Sequence, residues 1–155
     1  MATILNVKGS LFDAPKGSLL IHAVSTKSVW GSGIALQFKA KFPESFEFYQ
    51  EMCKKEGMFL LGTTIFCPPE NDYNVTALVT SLDYGDRKDS MASIIRNTRF
   101  ALQNLLWLEK DRPTELHSCK FNSGLFGVPW KETEKVLIDE LDKCGYTKPW
   151  TVWEQ

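Results

Sequence analysis

The stretch Phe121-Asn122-Ser123-Gly124-Leu125-Phe126-Gly127-Val128-Pro129-Trp130 joins a strand-like run, Leu116 to Phe121, to a helix-like run, Trp130 to Lys143. Two glycines bracket two large apolar residues. A strand that feeds a glycine-bearing loop and then a helix leaves several backbone N–H groups without partners, and such groups can converge on phosphate oxygens. Glycine lets a ligand approach the backbone closely. A second loop of this kind, Val29-Trp30-Gly31-Ser32-Gly33-Ile34, follows the strand-like run Ser18 to Val24 and opens another helix. Two such loops in one short chain point to a diphosphate or phosphorylated nucleotide ligand.

The rest of the chain alternates between strand and helix patterns. Thr3 to Val7 reads as a first strand, and Ser18 to Val24 is a continuous apolar run suited to burial on both faces. Ile34, Ala35, Phe38 and Phe42 recur at helical spacing until Pro43 ends the pattern. Glu44 to Glu56 forms a second helix with Gly57 beyond it, and Gly62–Phe66 and Val75–Ser81 are β-branched strands. Ser90 is placed to cap a third helix whose stripe is Met91, Ile94, Ile95, Leu102, Leu105 and Leu106. Pro129 suits the first turn of a fourth helix, with Trp130, Thr133, Leu137 and Leu141 on one face and Gly145 as its stop. Pro149 to Trp153 closes the chain as a short strand. Buried strands alternating with amphipathic helices predict a three-layer α/β/α sandwich. In such sheets ligands bind at the carboxyl ends of the strands, where both glycine loops fall.

At 155 residues the chain predicts one domain, residues 1–155, with a sizeable core. A net charge of -1 and a pI near 6.1 argue against broad nucleic-acid binding, which needs dense Lys/Arg surfaces. Neither a secretory leader nor an apolar run of membrane length is present, so the reading is a cytoplasmic protein away from membranes. Cys53, Cys67, Cys119 and Cys144 have no C-x-x-C spacing and read as free thiols. With no clustered His/Cys spacing, no metal site is expected. The chain also lacks a G-x-x-x-x-G-K-[ST] phosphate loop and a G-x-S-x-G elbow.

Three blocks carry a family resemblance: Val7-Lys8-Gly9-Ser10-Leu11-Phe12, Trp30-Gly31-Ser32-Gly33-Ile34-Ala35, and Asn122 through Thr133. Together with the closing Thr151-Val152-Trp153 they resemble a macro domain, of the fungal ADP-ribose 1''-phosphate phosphatase type. The resemblance runs nearly end to end, and the 122–133 block is the specific part. It implies a central mixed sheet and a cleft for ADP-ribose or its 1''-phosphate, with no cofactor and a monomeric protein. By the same resemblance Lys8, Gly9 and Ser10 lie near the adenine. His22, Ala23 and Val24 lie under the distal ribose, Val29, Trp30, Gly31, Ser32, Gly33 and Ile34 form the first phosphate loop, and Asn122, Ser123, Gly124, Leu125, Phe126, Gly127 and Val128 wrap the diphosphate. Ser10 stands where the family usually has Asp or Asn, and Ser25 and Lys27 stand where many active members have asparagine. Related ADP-ribosyl-glutamate hydrolases carry a lysine near Ser81 and an aspartate near Phe126, and this chain has neither.

Two side chains are candidates for the chemistry. His22 is suited to donating a proton or orienting a water, and equally to holding its loop through a backbone carbonyl. Asp83, in the turn after the strand ending at Ser81, is placed either as a general base or as a turn cap. Trp30, Phe126 and Trp153 either cover the ligand or pack in the core. The resulting expectation is phosphate removal from ADP-ribose 1''-phosphate. The alternatives are a non-catalytic ADP-ribose-binding module and an ADP-ribosyl-protein hydrolase.

Overall fold

The computed structural model describes residues 2–155. Six strands form one sheet: β1 (Ile4–Lys8), β2 (Leu19–Ser25), β3 (Thr64–Phe66), β4 (Asn74–Ser81), β5 (Leu116–Ser118) and β6 (Trp150–Glu154), in the order β1-β6-β5-β2-β4-β3. All neighbouring pairs are parallel except β3 with β4, which makes the sheet mixed. Four helices cover it: α1 (Gly33–Lys41), α2 (Pro43–Glu56), α3 (Met91–Glu109) and α4 (Trp130–Cys144). No helix among the described residues is long and apolar enough to cross a membrane.

The central parallel strands β2, β4 and β5 are buried on both faces because helices lie on both, whereas the edge strand β1 has no fully buried residue. Leu20 and Ile21 are fully buried although adjacent residues of a strand point to opposite faces. One layer is α1 with α2, whose Phe38, Phe42 and Tyr49 are buried; the other is α3 with α4. On α3 the stripe residues Ile94, Leu102, Leu105 and Leu106 are buried, and Ser90 Oγ accepts from the Ser93 N–H as its cap. Met91, at the head of that stripe in the first turn of α3, is exposed. Gly145 stops α4 in the left-handed conformation at φ 71.

The sequence places the fifth strand at Leu116 to Phe121, but the ladder ends at Ser118. Beyond it the chain leaves the sheet to enter the glycine loop, and the Lys120 carbonyl accepts from the Ser123 N–H instead of a neighbouring strand. α1 also buries less than its spacing predicts. Phe38 is buried, whereas Ile34 and Ala35 are half-buried because they face a cavity.

The start of α2 is held by a carboxylate from a distant turn. Glu70, 8% exposed, accepts from the Glu44 N–H at 3.1 Å and from the Ser45 N–H and hydroxyl at 2.8 Å each. A negative charge on unpartnered N–H groups at a helix start is favourable both as hydrogen bonding and against the helix dipole. Glu70→Ala is expected to cost about 2 kcal/mol in urea unfolding. A loss under about 0.5 kcal/mol would show that the cap contributes nothing.

Candidate functional site

The carboxyl ends of β2 and β5 open into a cavity of about 380 Å³, within the range of small-molecule sites. One wall is Ala23, Val24 and Ser25 at the end of β2, and another is Val29 to Ala35, which run into α1. The facing wall is Cys119 to Asn122 with Gly124, Leu125 and Phe126, and Tyr84 stands at its side. The two glycine loops therefore face each other across one crevice.

Both loops present backbone donors. α1 begins at Gly33 with Ser32 as its N-cap, and the Ser32 side chain makes no capping bond. The first helical bond runs from the Leu36 N–H to the Ser32 carbonyl at 3.4 Å. Among the described residues, the N–H groups of Gly31 to Ala35 meet no protein acceptor, and neither do those of Gly124, Leu125 and Phe126. Gly33 takes a φ of +59, so a side chain there would be strained. Unpartnered N–H groups at a helix start attract anions.

The second loop owes its shape to an asparagine. Asn122 has a φ of 68 and is 4% exposed. Its Oδ1 accepts from the Thr80 hydroxyl on β4 at 2.8 Å, and its Nδ2 donates to the Thr98 hydroxyl on α3 at 2.9 Å. Its carbonyl accepts from the Val128 N–H at 2.9 Å, and the Gly127 N–H returns to the Gly124 carbonyl at 3.0 Å. Ser123, Gly127 and Val128 thus brace the loop from outside the cavity, and Val128 is buried in the core. On the other side Tyr49 donates to the Ser25 carbonyl at 2.6 Å, and the Thr26 hydroxyl donates to the Leu82 carbonyl at 2.7 Å.

His22 is not in the cavity. It is 0% exposed and stacks on Phe38 at 4.0 Å between centroids, with Trp30 edge-on at 4.7 Å. Neither ring nitrogen has a partner among the described residues. Burial brings its pKa from 6.5 down to about 3, so the ring is neutral, and it exposes no surface to the cavity. Both sequence readings of His22, proton donor and carbonyl-held loop anchor, give way to a third: a member of an aromatic cluster behind the loop.

Asp83 also lies outside the cavity wall. Its Oδ1 accepts from the Tyr84 N–H at 2.8 Å, which makes it a turn cap; its neighbour Tyr84 is the residue that reaches the cavity. Trp30, 1% exposed, forms the cavity floor and stacks on Tyr49, while Phe126 is half-buried at the wall. Lys8, Gly9, Ser10 and Trp153 sit together at the ends of β1 and β6, beyond the cavity lining. Ser10 caps a short helical turn through the Phe12 N–H, and the Trp153 ring lies against Gly9. The Trp153 indole N–H donates to His117 Nδ1 at 2.9 Å, and His117 Nε2 meets Glu115 at 2.9 Å.

Ala35, Tyr84, Cys119, Lys120 and Phe121 line the cavity without having been singled out in the sequence. For Phe121 and Lys120 the available signal was their place at the end of a strand that feeds the loop. Cys119 is no nucleophile, because burial pushes its thiol up to about 12.

A family model described as "Macro domain" matches residues 21–137. The chain is 35% identical to an ADP-ribose 1''-phosphate phosphatase of Aspergillus oryzae, over 87% of this chain and 88% of that protein. It is 36% identical to an ADP-ribose 1''-phosphate phosphatase of Lodderomyces elongisporus, over 93% of this chain and 96% of that protein. Among solved structures, the macrodomain of Mycobacterium tuberculosis DarG superposes with a TM-score of 0.79 at 19% identity, covering 100% of both chains.

Because His22 is held neutral in the folded state, the unfolded chain takes up the proton first as pH falls below 6.5. Its contribution is complete above pH 6.5 and is lost as pH falls toward 3. Between pH 7 and 5 the wild type is expected to lose about 2 kcal/mol more stability than His22→Phe in urea unfolding. Equal losses would mean that the imidazole is not buried neutral.

Proposed function

Since this chain belongs to the macro domain family, we propose that it removes the 1''-phosphate from ADP-ribose 1''-phosphate, releasing ADP-ribose and inorganic phosphate. The observation that carries this reading is the pair of amide-bearing loops facing each other across one cavity. Relatives named for this activity match the chain over nearly their whole length. The diphosphate and the terminal phosphate are multiply charged, and the protein has few cations at the cleft. Backbone donors do that work, each charge-assisted bond contributing about 1.5–3 kcal/mol.

In the reaction a water attacks phosphorus, the bond from phosphorus to the C1'' oxygen breaks, and that oxygen takes a proton. The amides of Gly124 to Phe126 and of the α1 start gather donors where charge builds on the phosphoryl oxygens. The apolar wall of Ala23, Val24, Ile34 and Phe126 limits bulk water around the sugar. Ser25, Ser32 and Tyr84 are the hydroxyl groups at the wall; Ser25 Oγ accepts from the Lys27 N–H at 3.2 Å, which leaves Ser32 and Tyr84 the freer to orient the attacking water, while the Asn122 amide is committed to Thr80 and Thr98. We place the reaction in the cytosol, in keeping with four free cysteines.

One observation favours a second reading, a binding module without turnover. No imidazole or carboxylate is among the described residues lining the cavity. Phosphate release from ADP-ribose 1''-phosphate, measured beside calorimetry with ADP-ribose, separates the two. Turnover supports the phosphatase; binding without any phosphate release supports the module.

Blocking the cleft tests both. A Cβ at Gly124 meets no protein atom within 4 Å, so Gly124→Val leaves the fold intact and adds bulk at the cavity wall. Its affinity for ADP-ribose is expected to fall by more than about tenfold, with a melting temperature within a few degrees of the wild type. Unchanged affinity would place the ligand elsewhere.

A further inference from the structure

We propose that Lys120 is the charge-reading residue of the cleft, held by Glu154 as an ion-pair latch that opens to a diphosphate ester. The proposal rests on the ADP-ribose reading of the same cavity and adds to it a side-chain cation that selects the ligand. Lys120 is the one Lys or Arg among the described residues lining the cavity. Its ammonium does not point free into the space. It meets Glu154 Oε2 at 2.6 Å, at the end of β6. The latch therefore spans from the loop that carries Gly124 to Phe126 to the ends of β6 and β1.

Three features make the pair exchangeable. First, both partners are open to water, with side-chain exposures of 32% for Lys120 and 50% for Glu154, and such pairs contribute little to stability. Second, a diphosphate offers Lys120 more negative charge than one carboxylate does, close to amides that already attract it. Third, Glu154 is not stranded when Lys120 leaves. Lys8 is its register partner on β1, and Lys8 and Lys120 both hold the Glu154 carboxyl below its usual range, Lys120 foremost. When Lys120 moves to the ligand the strand ends pass from two cations and one carboxylate to one of each, and Lys8 is the cation that remains beside Glu154. In the resting pair Glu154 competes with weakly charged anions, so a single small anion gains less than a diphosphate does.

The reading assigns Lys120 to the diphosphate rather than to the terminal phosphate, because its partner lies toward the β6–β1 side and away from α1. Lys120 and Glu154 are positioning and specificity residues in this scheme, and no bond-breaking role is assigned to them.

The test is calorimetry of ADP-ribose and of ADP-ribose 1''-phosphate with the wild type, Lys120→Met, Glu154→Gln and Lys8→Met, at two salt concentrations. Lys120→Met is expected to weaken both ligands by about tenfold and to flatten the salt dependence. Glu154→Gln, which releases the latch, is expected to tighten both by about threefold. Lys8→Met is expected to weaken both by about twofold, by leaving the released carboxylate alone. All three substitutions lie on exposed or half-exposed side chains, so thermal melts are expected to match the wild type. Wild-type affinity in Lys120→Met, or looser binding in Glu154→Gln, overturns the latch while leaving the proposed function standing. An effect of Lys120→Met on the 1''-phosphate alone overturns the diphosphate assignment. If the wild type binds neither ligand, the proposed function and the latch fall together.

Discussion

Asn122 ties the glycine loop to β4 and α3 at once, two elements that also pack on each other directly. Its amide lies between a β4 threonine and an α3 threonine, and its left-handed backbone turns the chain out of the sheet. A buried amide with one partner for each end is fixed in orientation, and it becomes costly if either partner is lost. Left-handed backbone is uncommon outside glycine, and asparagine is among the side chains that tolerate it best. Asn122 thus combines a backbone requirement with a side-chain requirement at one position. Once it is fixed, the Val128 N–H can close on its carbonyl, and among the intervening amides those of Gly124, Leu125 and Phe126 are left without a protein acceptor among the described residues. Their exposure to the cleft follows from that closure.

The opposite wall works by the same economy. α1 has no side-chain cap, although Ser32 occupies the cap position. A bonded cap would satisfy the N–H groups internally and remove them from the cleft. Stability that a cap would add is forgone where a ligand is expected to supply the acceptors. α2 shows the contrast within the same chain. Its start faces protein rather than the cavity, and there Glu70 satisfies the Glu44 and Ser45 N–H groups and the Ser45 hydroxyl. One helix start is closed by the fold and the other is left uncapped at the cavity.

Much of this was legible because it is local. Apolar and β-branched runs identified the strands and helical spacing the four helices, and the two strand–glycine loop–helix junctions lie at the two cavity walls. What was not legible depends on pairs distant in sequence. His22 read as a strand-end residue near a ligand loop, but a strand-end position does not say which face it takes. The face is settled by Phe38 and Trp30, which enclose the ring. Asp83 was placed in the right turn, while the cavity contact belongs to Tyr84, one residue on. Within a tight turn one residue changes the direction of a side chain completely. Lys8, Gly9, Ser10 and Trp153 cluster at the ends of β1 and β6, a neighbourhood created by pairing the first strand with the last. Lys120 could not stand out, because its partner lies 34 residues away.

These placements bear on how a cavity with no imidazole or carboxylate among its described lining residues can be more than a receptacle. A phosphoryl group in transfer spreads charge over its oxygens, and there is little covalent work for a protein to do. Donors fixed before the substrate arrives need no reorganisation as that charge develops. Backbone amides suit this task better than lysines, because they are held by the loop's own bonds and carry no counter-ion to displace. A mobile cation suits the earlier task of admitting the right ligand, where exchange with a carboxylate is an advantage. The division between fixed amides for the reacting phosphate and one exchangeable lysine toward the diphosphate follows from which groups the fold immobilises: Asn122 locks the first set, and the water-exposed pairing of Lys120 with Glu154 leaves the second free to move.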